Sequence, residues 1–350
     1  MLALSCTNEE KTKSSKGETM RRNAIVILFV AAVVFFSVFS NAQAQVKPGW
    51  PKDVSIAGAT IGGATFLYSG GFAKLLYDKM GITASVEVTG GSVNNIKLGD
   101  NKEVTFTPSQ APMVYDGWHG LDWANGKKYQ NIRAVFHMNN TYFQVYSMKK
   151  LGLKSIYDLT GKRVGVGEIG GGPNVFYRQI LDGLGIKPVF VNAGHSDIRS
   201  QLVDGLVHAG ASISGIPWVV IKETEASHEA NVFGVSMKDV QKLPKFMEHY
   251  PFVGNGIIPR GTYRANKDND IETLTFGSFY YTHKDTAEDF VYEVVKKAFE
   301  NIDILAAAHP SAREARPESI VYAGAPIHPG ALKYYREKGI KIPDSLIAPK

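Results

Sequence analysis

The sequence predicts an α/β protein of two lobes with a ligand cleft between them. At 350 residues the chain is longer than one hydrophobic core usually serves, so two domains are expected. Short apolar runs are followed by glycine loops and then by helix-like segments, an alternation typical of parallel sheets with right-handed crossovers. These units form two successive sets, over 54–118 and 162–222, and each set is expected to build one lobe.

The first set contains three units, with strands predicted at 54–57, at 84–88 and within 103–118. The first two strands are followed by glycine pairs, Gly62–Gly63 and Gly90–Gly91. Ser92 is the expected N-cap of the second helix. The first helix is indicated by an apolar stripe of Leu67, Phe72, Leu75 and Leu76. Two further strand-like runs follow within 131–148.

The second set repeats the pattern within 162–185, 188–210 and 211–223. Ser196 or Asp197 is the expected cap of its second helix. A strand is predicted within 272–283, and one long amphipathic helix over 287–308. Because ligands of open α/β sheets bind beyond the carboxyl ends of the strands, the cleft should be lined by glycine loops and helix N-termini.

The N-terminus has the pattern of a secretory signal peptide. Arg21 and Arg22 precede an apolar run over 24–39, and a small-residue site predicts cleavage after Ala44. Residues 1–44 are therefore assigned to the signal, with 20–44 as its conventional part and the residues before Met20 as an extended start. This pattern predicts a periplasmic protein; the alternative is a retained membrane anchor, for which the apolar run is short.

The motifs that would indicate an enzyme are incomplete. Gly165, Gly167 and Gly170 match the dinucleotide pattern G-x-G-x-x-G, but the next strand ends in Asn192 where that site needs an acidic residue. The sequence has no P-loop, no G-x-S-x-G and no H-E-x-x-H, and its basic residues are dispersed rather than clustered as for nucleic acid. We therefore expect no catalytic residue, no metal and no cofactor. The expected function is the binding of a small organic anion.

The candidate ligand-binding residues all lie at strand ends or in the first turn of a following helix. They are Gly63, Ala64, Thr65, Tyr68, Ser92, Asn94, Asn95, Ser109, Gln110, Gly171, Gly172, Asn174, Ser214 and Trp218. For five of them a structural role remains open: N-capping for Ser92, Asn94 and Asn95, packing against the sheet for Tyr68, and a place in the core for Trp218.

The mature chain resembles the TAXI-type solute-binding proteins of tripartite ATP-independent periplasmic (TRAP) transporters. The resemblance is carried by IGGATFLYSGG, TGGSVNNIKL, SIYDLTGKRVGVGEIGGG and, most specifically, AAAHP followed by PIHPGALKYYREKG. It implies a type II periplasmic-binding-protein fold in which the chain crosses between the lobes twice. The strand pattern places the crossings near Tyr142 and Phe276, so lobe I is expected at 45–142 plus 277–350 and lobe II at 143–276. It also implies a carboxylate-bearing solute, of the amino acid or dicarboxylate type, which is delivered to an integral-membrane TRAP permease. An ion gradient then drives the transport.

Only part of the family's binding-site pattern is present in this sequence. The family's G-G-S-x-x-N loop is present as Gly90, Gly91, Ser92 and Asn95. The family's G-S-G-T loop is replaced by 170–173, which reads G-G-G-P, and its tyrosine pair by Thr65 and Phe66. Gln110 stands where an acidic residue is common. The solute is therefore left open, as are two other functions: an exported enzyme of similar fold acting on a small organic acid, and the ligand domain of a sensor.

Overall fold

The computed structural model describes residues 46–348, so the signal peptide prediction lies outside the described residues. Ten strands form one sheet. In chain order they are β1 (Asp53–Ala57), β2 (Thr83–Glu87), β3 (Phe106–Gln110), β4 (Ile132–Met148), β5 (Arg163–Gly165), β6 (Val189–Val191), β7 (Ala209–Ser214), β8 (Ala230–Phe233), β9 (Gly254–Ile258) and β10 (Ile271–His283).

Eleven α-helices are found in the described part of the chain. They are α1 (Ala64–Met80), α2 (Ser92–Asp100), α3 (Ala111–His119), α4 (Gly172–Gly183), α5 (His195–Val203), α6 (Val219–Ser227), α7 (Met237–Val240), α8 (Pro244–His249), α9 (Glu288–Glu300), α10 (Ile302–Ala308) and α11 (Pro329–Glu337). Within these residues no helix is long and apolar enough to cross a membrane.

The sheet joins two trios of parallel strands through a central antiparallel pair. Its order is β2-β1-β3-β10-β4-β7-β5-β6, with β8 added to β4 and β9 to β10. The trio β1–β3 with α1–α3 is the centre of the first lobe, and the trio β5–β7 with α4–α6 is the centre of the second. The sheet is mixed rather than parallel throughout, because the central pair and both of its neighbours run antiparallel to one another.

This central pair decides where the two lobes meet. Three antiparallel pairings separate β3 from β7, so the two trios run in opposite directions. Along β4, the end of β7 at Ser214 lies opposite Tyr142. Along β10, the end of β3 at Gln110 lies opposite Ser278, whose own partner on β4 is Asn139. The carboxyl ends of the two trios therefore face each other at points only three positions apart along β4.

Three sequence predictions differ in detail from the structure. The two strand-like runs within 131–148 are one strand, β4, which pairs with the first lobe along one part and with the second along the other. The long helix over 287–308 is broken at Asn301, whose side-chain amide donates to the Lys297 carbonyl at 3.0 Å. In α1, Leu67 is partly exposed and the adjacent Tyr68 takes its place against the sheet.

Candidate ligand-binding cavity

One cavity lies where the carboxyl ends of the two trios meet. Its volume is about 60 Å³, which suits a few small groups rather than a large cofactor. The walls come from the segments after β1, β2, β5 and β6, from the last residues of β3 and β7, and from the two central strands. They are Ala59, Thr60, Gly63, Ala64, Thr65, Gly90, Gly91, Ser92, Asn95, Pro108, Ser109, Gln110, Met138, Gly167, Glu168, Gly171, Gly172, Pro173, His195, Ser212, Ile213, Ser214 and Ser278.

Four helices begin at this cavity, two from each lobe. Their N-caps are all glycine: Gly63 for α1, Gly91 for α2, Gly171 for α4 and Gly194 for α5. None of these four residues makes a side-chain capping hydrogen bond, because glycine has no side chain that could accept from the first backbone N–H groups of the helix. The positive ends of the helix dipoles favour an anion, as do the first-turn N–H groups other than that of Val93, which donates to the Gly170 carbonyl.

The two lobes touch each other around the cavity. Val93 of α2 donates its backbone N–H to the carbonyl of Gly170 in the second lobe at 3.0 Å. The Trp218 indole donates to the carbonyl of Gly62 in the first lobe at 3.3 Å. These hydrogen bonds are made only when the lobes are close together, so the structure is a closed one.

The sequence profile of the NMT1-like family matches residues 56–339, which span both lobes and the cavity. The chain belongs to the NMT1-like family.

Two solved structures show the architecture that this NMT1-like chain adopts. One, described as R. palustris Rpa4515 with adipate, is 18% identical with a TM-score of 0.51, over 76% of this chain and 89% of that chain. The other, periplasmic binding protein BugD, is 12% identical with a TM-score of 0.50, over 85% of this chain and 100% of that chain. The two-lobed periplasmic-binding-protein fold predicted from the sequence is therefore confirmed.

Ten of the fourteen predicted site residues line the cavity of this NMT1-like protein. They are Gly63, Ala64, Thr65, Ser92, Asn95, Ser109, Gln110, Gly171, Gly172 and Ser214. They come from five different segments of the chain, which the opposed trios bring together. Their contact with a ligand stays a prediction.

The four other predicted residues lie outside the cavity. Tyr68 and Trp218 are buried in the cores of the two lobes, where Tyr68 packs on Tyr280 and Trp218 packs edge-on against Tyr146. Both are large aromatic groups on the sheet-facing side of their segments, which is the packing that the structural alternative for each predicts. Contact of either residue with a ligand stays a prediction. Asn94 is an exposed residue of α2, and Asn174 is buried in α4 away from the cavity lining.

Asn95 lines the cavity but uses its side chain to hold the loops in place. Its amide nitrogen donates to the Pro108 carbonyl at 2.8 Å, and its amide oxygen accepts from the Thr89 hydroxyl at 2.5 Å. The side chain is fully buried. Asn95 thus ties the end of β3 to the loop after β2, and it acts as a positioning residue for this part of the wall.

His195 is a wall residue that the sequence analysis did not select. It is the first residue of α5, whose N-cap is Gly194 rather than the predicted Ser196 or Asp197. Its Nε2 lies 3.3 Å from the Ser212 hydroxyl, and its Nδ1 is buried without a partner in the described residues. Burial lowers the pKa of the imidazole to about 4, so His195 is neutral at pH 7. The sequence signal available for His195 was its position directly after Gly194, in the loop that follows β6.

Glu168 is the second omission, although it stands inside the glycine loop after β5. Met138 and Ser278 are further wall residues, and they come from the central strands β4 and β10. No local sequence pattern marks these two, because only strand pairing brings them to the cavity. Within the described residues there is no group of three His, Cys, Asp or Glu side chains able to hold a metal ion.

Proposed function

We propose that this protein is a periplasmic solute-binding protein, which captures a small carboxylate-bearing solute and delivers it to a TRAP permease. The observation that carries the proposal is the convergence of four glycine-capped helix N-termini on one cavity between two lobes. A carboxylate placed there accepts hydrogen bonds from backbone N–H groups of both lobes. Contacts from both sides favour the closed form, so binding shifts an open–closed equilibrium towards closure.

The two similar structures support this proposal through their descriptions. Both have the same fold, one is described as a periplasmic binding protein, and the other holds adipate, a dicarboxylate. The predicted signal peptide supports a periplasmic location. Delivery to a TRAP permease rests on the resemblance of the C-terminal segments to the TAXI type, and the closed surface is what the permease would recognise.

An exported enzyme of similar fold is less well supported by the cavity. Ser212 and His195 form the only serine–histidine pair in its wall, at 3.3 Å. A nucleophilic serine also needs a base held in the correct tautomer by a third group, and Nδ1 of His195 has no partner among residues 46–348. The pair therefore suits ligand contact better than acyl transfer.

Thermal unfolding of the mature protein with a panel of small carboxylates tests the proposal. A bound solute should raise the melting temperature with concentration, following RT ln(1 + [L]/Kd), and should be recovered unchanged by mass spectrometry. Conversion of the compound to a product would instead support the enzyme. If no carboxylate, amino acid or dicarboxylate raised the melting temperature, the binding proposal would be wrong.

A further inference from the structure

Segment 309–316, which follows α10, lies beside the point where β4 passes from the first lobe to the second. It begins with the His-Pro pair of the AAAHP stretch, and none of its residues lines the cavity. β7 begins to pair with β4 at Tyr142, and β3 ends opposite the residue of β10 that pairs with Asn139. The passage between the lobes therefore lies at 139–142.

One side chain of this segment is bonded to both ends of the passage. Glu314 accepts a hydrogen bond from the Asn140 backbone N–H at 3.1 Å and another from the Tyr142 hydroxyl at 3.2 Å, each through a different carboxylate oxygen. Asn140 pairs with Gly277 of β10, whereas Tyr142 also pairs with Ser214 of β7 in the second lobe. The carboxylate of Glu314 therefore connects the two sides of the junction.

Two further contacts extend the segment from the first lobe to the second. The backbone N–H of Arg316 donates to Nδ1 of His137 on β4 at 3.2 Å. Ser311 lies against Gly215, the residue after β7: a Cβ built on Gly215 would lie 2.6 Å from the Ser311 hydroxyl oxygen and 3.0 Å from its Cβ. Segment 309–316 thus forms a non-covalent connection between the lobes beside the two shared strands.

The carboxyl group of Glu314 is half-buried at this junction. Burial raises its pKa to about 7, against the lowering effects of the Asn140 N–H, the Tyr142 hydroxyl and the positive charge of Arg316. Burial also raises the pKa of Tyr142, so its hydroxyl stays protonated and remains a donor.

The other titratable groups around the segment keep their charge near neutral pH. Burial lowers the pKa of His137 to about 4, and burial also lowers the pKa of His309, whose hydrogen bond to the Pro217 backbone opposes the change. Both imidazoles are therefore neutral at pH 7. Arg313 forms an exposed ion pair with Asp303 of α10 at 2.8 Å.

We propose that segment 309–316 links the two lobes at their hinge, and that protonation of Glu314 favours the closed form over the open form. The proposal rests on the open–closed equilibrium of the proposed function and adds a dependence on pH to it. Rotation of the second lobe about 139–142 moves Tyr142 and the loop after β7 relative to Glu314. Water then reaches the carboxyl group, which is shielded in the closed structure.

The direction of the effect follows from the form that binds the proton more tightly. Burial holds the pKa of Glu314 at about 7 in the closed structure, whereas hydration in the open form returns it towards the ordinary value of about 4.3. Closure therefore takes up a proton, and this advantage is fully present below about pH 4 and is lost as the pH rises through about 7. Because each unit of pKa difference is a factor of ten, the closed-to-open ratio should fall at least about tenfold between pH 5.5 and pH 8.5.

The distance between two spin labels measures this ratio. The sequence after Ala44 contains no cysteine, so V88C combined with V189C allows specific labelling. Val88 follows β2 and Val189 begins β6; both are exposed, and β2 and β6 are the two ends of the strand order. Pulsed electron paramagnetic resonance at pH 5.5, 7 and 8.5 is recorded on protein that mass spectrometry shows to be free of solute. The shorter distance, that of the closed form, should lose population to the longer one as the pH rises.

Three substitutions in the labelled protein assign the effect to Glu314. E314Q is neutral at every pH and resembles the protonated side chain, so its distance distribution should stay at the low-pH form. Y142F removes a hydrogen bond that lowers the pKa of Glu314, so the midpoint should move to higher pH. E318Q changes an exposed glutamate four residues away and should leave the midpoint where it is in the unmodified protein.

Each result either supports or overturns the proposal. Loss of the pH dependence in E314Q together with a raised midpoint in Y142F supports it. Distances that do not change with pH in the unmodified protein overturn it, as does the same pH dependence in E314Q. If E314Q failed to fold, an unshifted midpoint in Y142F would overturn the proposal. These measurements use no solute, so their failure leaves the proposed function to the thermal unfolding test.

A failure of the proposed function has a different signature. Closure that depends on Glu314, in a protein that no small carboxylate stabilises against thermal unfolding, would contradict the proposed solute and leave the hinge proposal in place.

Discussion

The side-chain amide of Gln110 donates a hydrogen bond across 2.9 Å to the backbone carbonyl of Ile213. Gln110 is the last residue of β3 in the first lobe, and Ile213 lies near the end of β7 in the second. The oxygen of this side-chain amide contacts Gly172. A Cβ added at residue 172 would lie 2.8 Å from the amide carbon of Gln110 and closer still to the amide oxygen. The contact between the lobes therefore depends on the absence of a side chain at residue 172.

Gly172→Ala should weaken binding without unfolding the protein. The added methyl group would displace the Gln110 amide and keep the lobes apart, so the affinity for the best-binding solute should fall about tenfold or more. Titration calorimetry of the variant measures this effect. An affinity equal to that of the unmodified protein would contradict the role of Gly172 in closure.

Gly70→Ala is the matched control for this substitution. Gly70 lies within α1, and a Cβ built there meets nothing within 4 Å. Alanine is favoured over glycine in a helix by about 0.5–1 kcal/mol, so the control should be slightly stabilised and should bind normally.

Asn95→Ala should lower the stability of the first lobe. The substitution removes the side-chain donor to the buried Pro108 carbonyl, and an unsatisfied buried polar group costs about 1–3 kcal/mol. It also removes the acceptor of the Thr89 hydroxyl, which still accepts from the backbone N–H groups of Ala59 and Gly91. Urea unfolding followed by circular dichroism measures the loss. The exposed Asn269→Ala should change the unfolding free energy by less than about 0.5 kcal/mol. An equally small change for Asn95→Ala would show that its two hydrogen bonds are not important for stability.

Asp116 joins α3 to α8 through a buried carboxylate. Its Oδ1 lies 2.7 Å from Nε2 of His249, and its Oδ2 accepts from the Tyr250 hydroxyl at 2.8 Å. Burial raises the pKa of Asp116 to about 6, against the lowering effect of hydrogen bonds from His249 and Tyr250 and with a small further rise from Asp122. The folded state therefore binds this proton more tightly than the unfolded state does.

The stability that this protonation contributes should be lost as the pH rises. Since the pKa is raised on folding, the contribution is fully present below about pH 4 and disappears as the pH passes through about 6. The side chain of Asp116→Asn cannot titrate, so this variant lacks the pH-dependent contribution. We compare the free energy of unfolding of the unmodified protein with that of the variant at each pH. The difference between the two should fall by at most about 3 kcal/mol between pH 4 and pH 7.5. Urea unfolding at three pH values measures the difference.

The exposed Asp53→Asn, a change outside this buried cluster, is measured in parallel as the control. A difference for Asp116→Asn that stayed constant between pH 4 and pH 7.5 would contradict the raised pKa.

The mature protein should begin at Gln45. Expression of the full chain in a Gram-negative host should place it in the periplasmic fraction, with a mass that corresponds to cleavage after Ala44. A membrane-bound product that keeps residues 20–44 would support the anchor instead. Ala44→Arg should block cleavage, because the processing site requires a small residue at this position.

Much of the cavity wall can be predicted from the sequence, because its residues lie at the ends of strands or in the loops that follow them. Gly63, Ser92, Gln110 and Gly172 were each selected from a local pattern of strand, turn and helix start, and each lines the cavity. Tyr68 shows the limit of that reasoning, because it lies one helical turn beyond the same loop and yet faces the core. Which side of a helix faces the sheet depends on packing. Of the apolar stripe predicted for α1, Phe72, Leu75 and Leu76 are buried, but Tyr68 rather than Leu67 is the buried residue of the first turns.

The lobe boundaries predicted at 142 and 276 fall within β4 and β10, the two strands that both lobes share. They stay predictions, because these long strands run continuously through the junction. Tyr142 pairs with Thr275 on one side and with Ser214 on the other, so the passage between lobes is part of the sheet itself.

The amino-acid sequence alone determined the alternation of strands and helices and the glycine loops between them, since these depend on local backbone preferences. The predicted caps Ser92 and Ser196 or Asp197 were wrong, because α2 and α5 are capped by the preceding glycines Gly91 and Gly194. Tertiary structure alone decided that the two parallel trios run in opposite directions, and so that His195 and Glu168 share a wall with Gln110. The physical reason is that strand direction across the sheet is set by pairing between β4 and β10, residues more than a hundred positions apart. Hydrogen bonds between such distant segments leave no periodic signal in the chain.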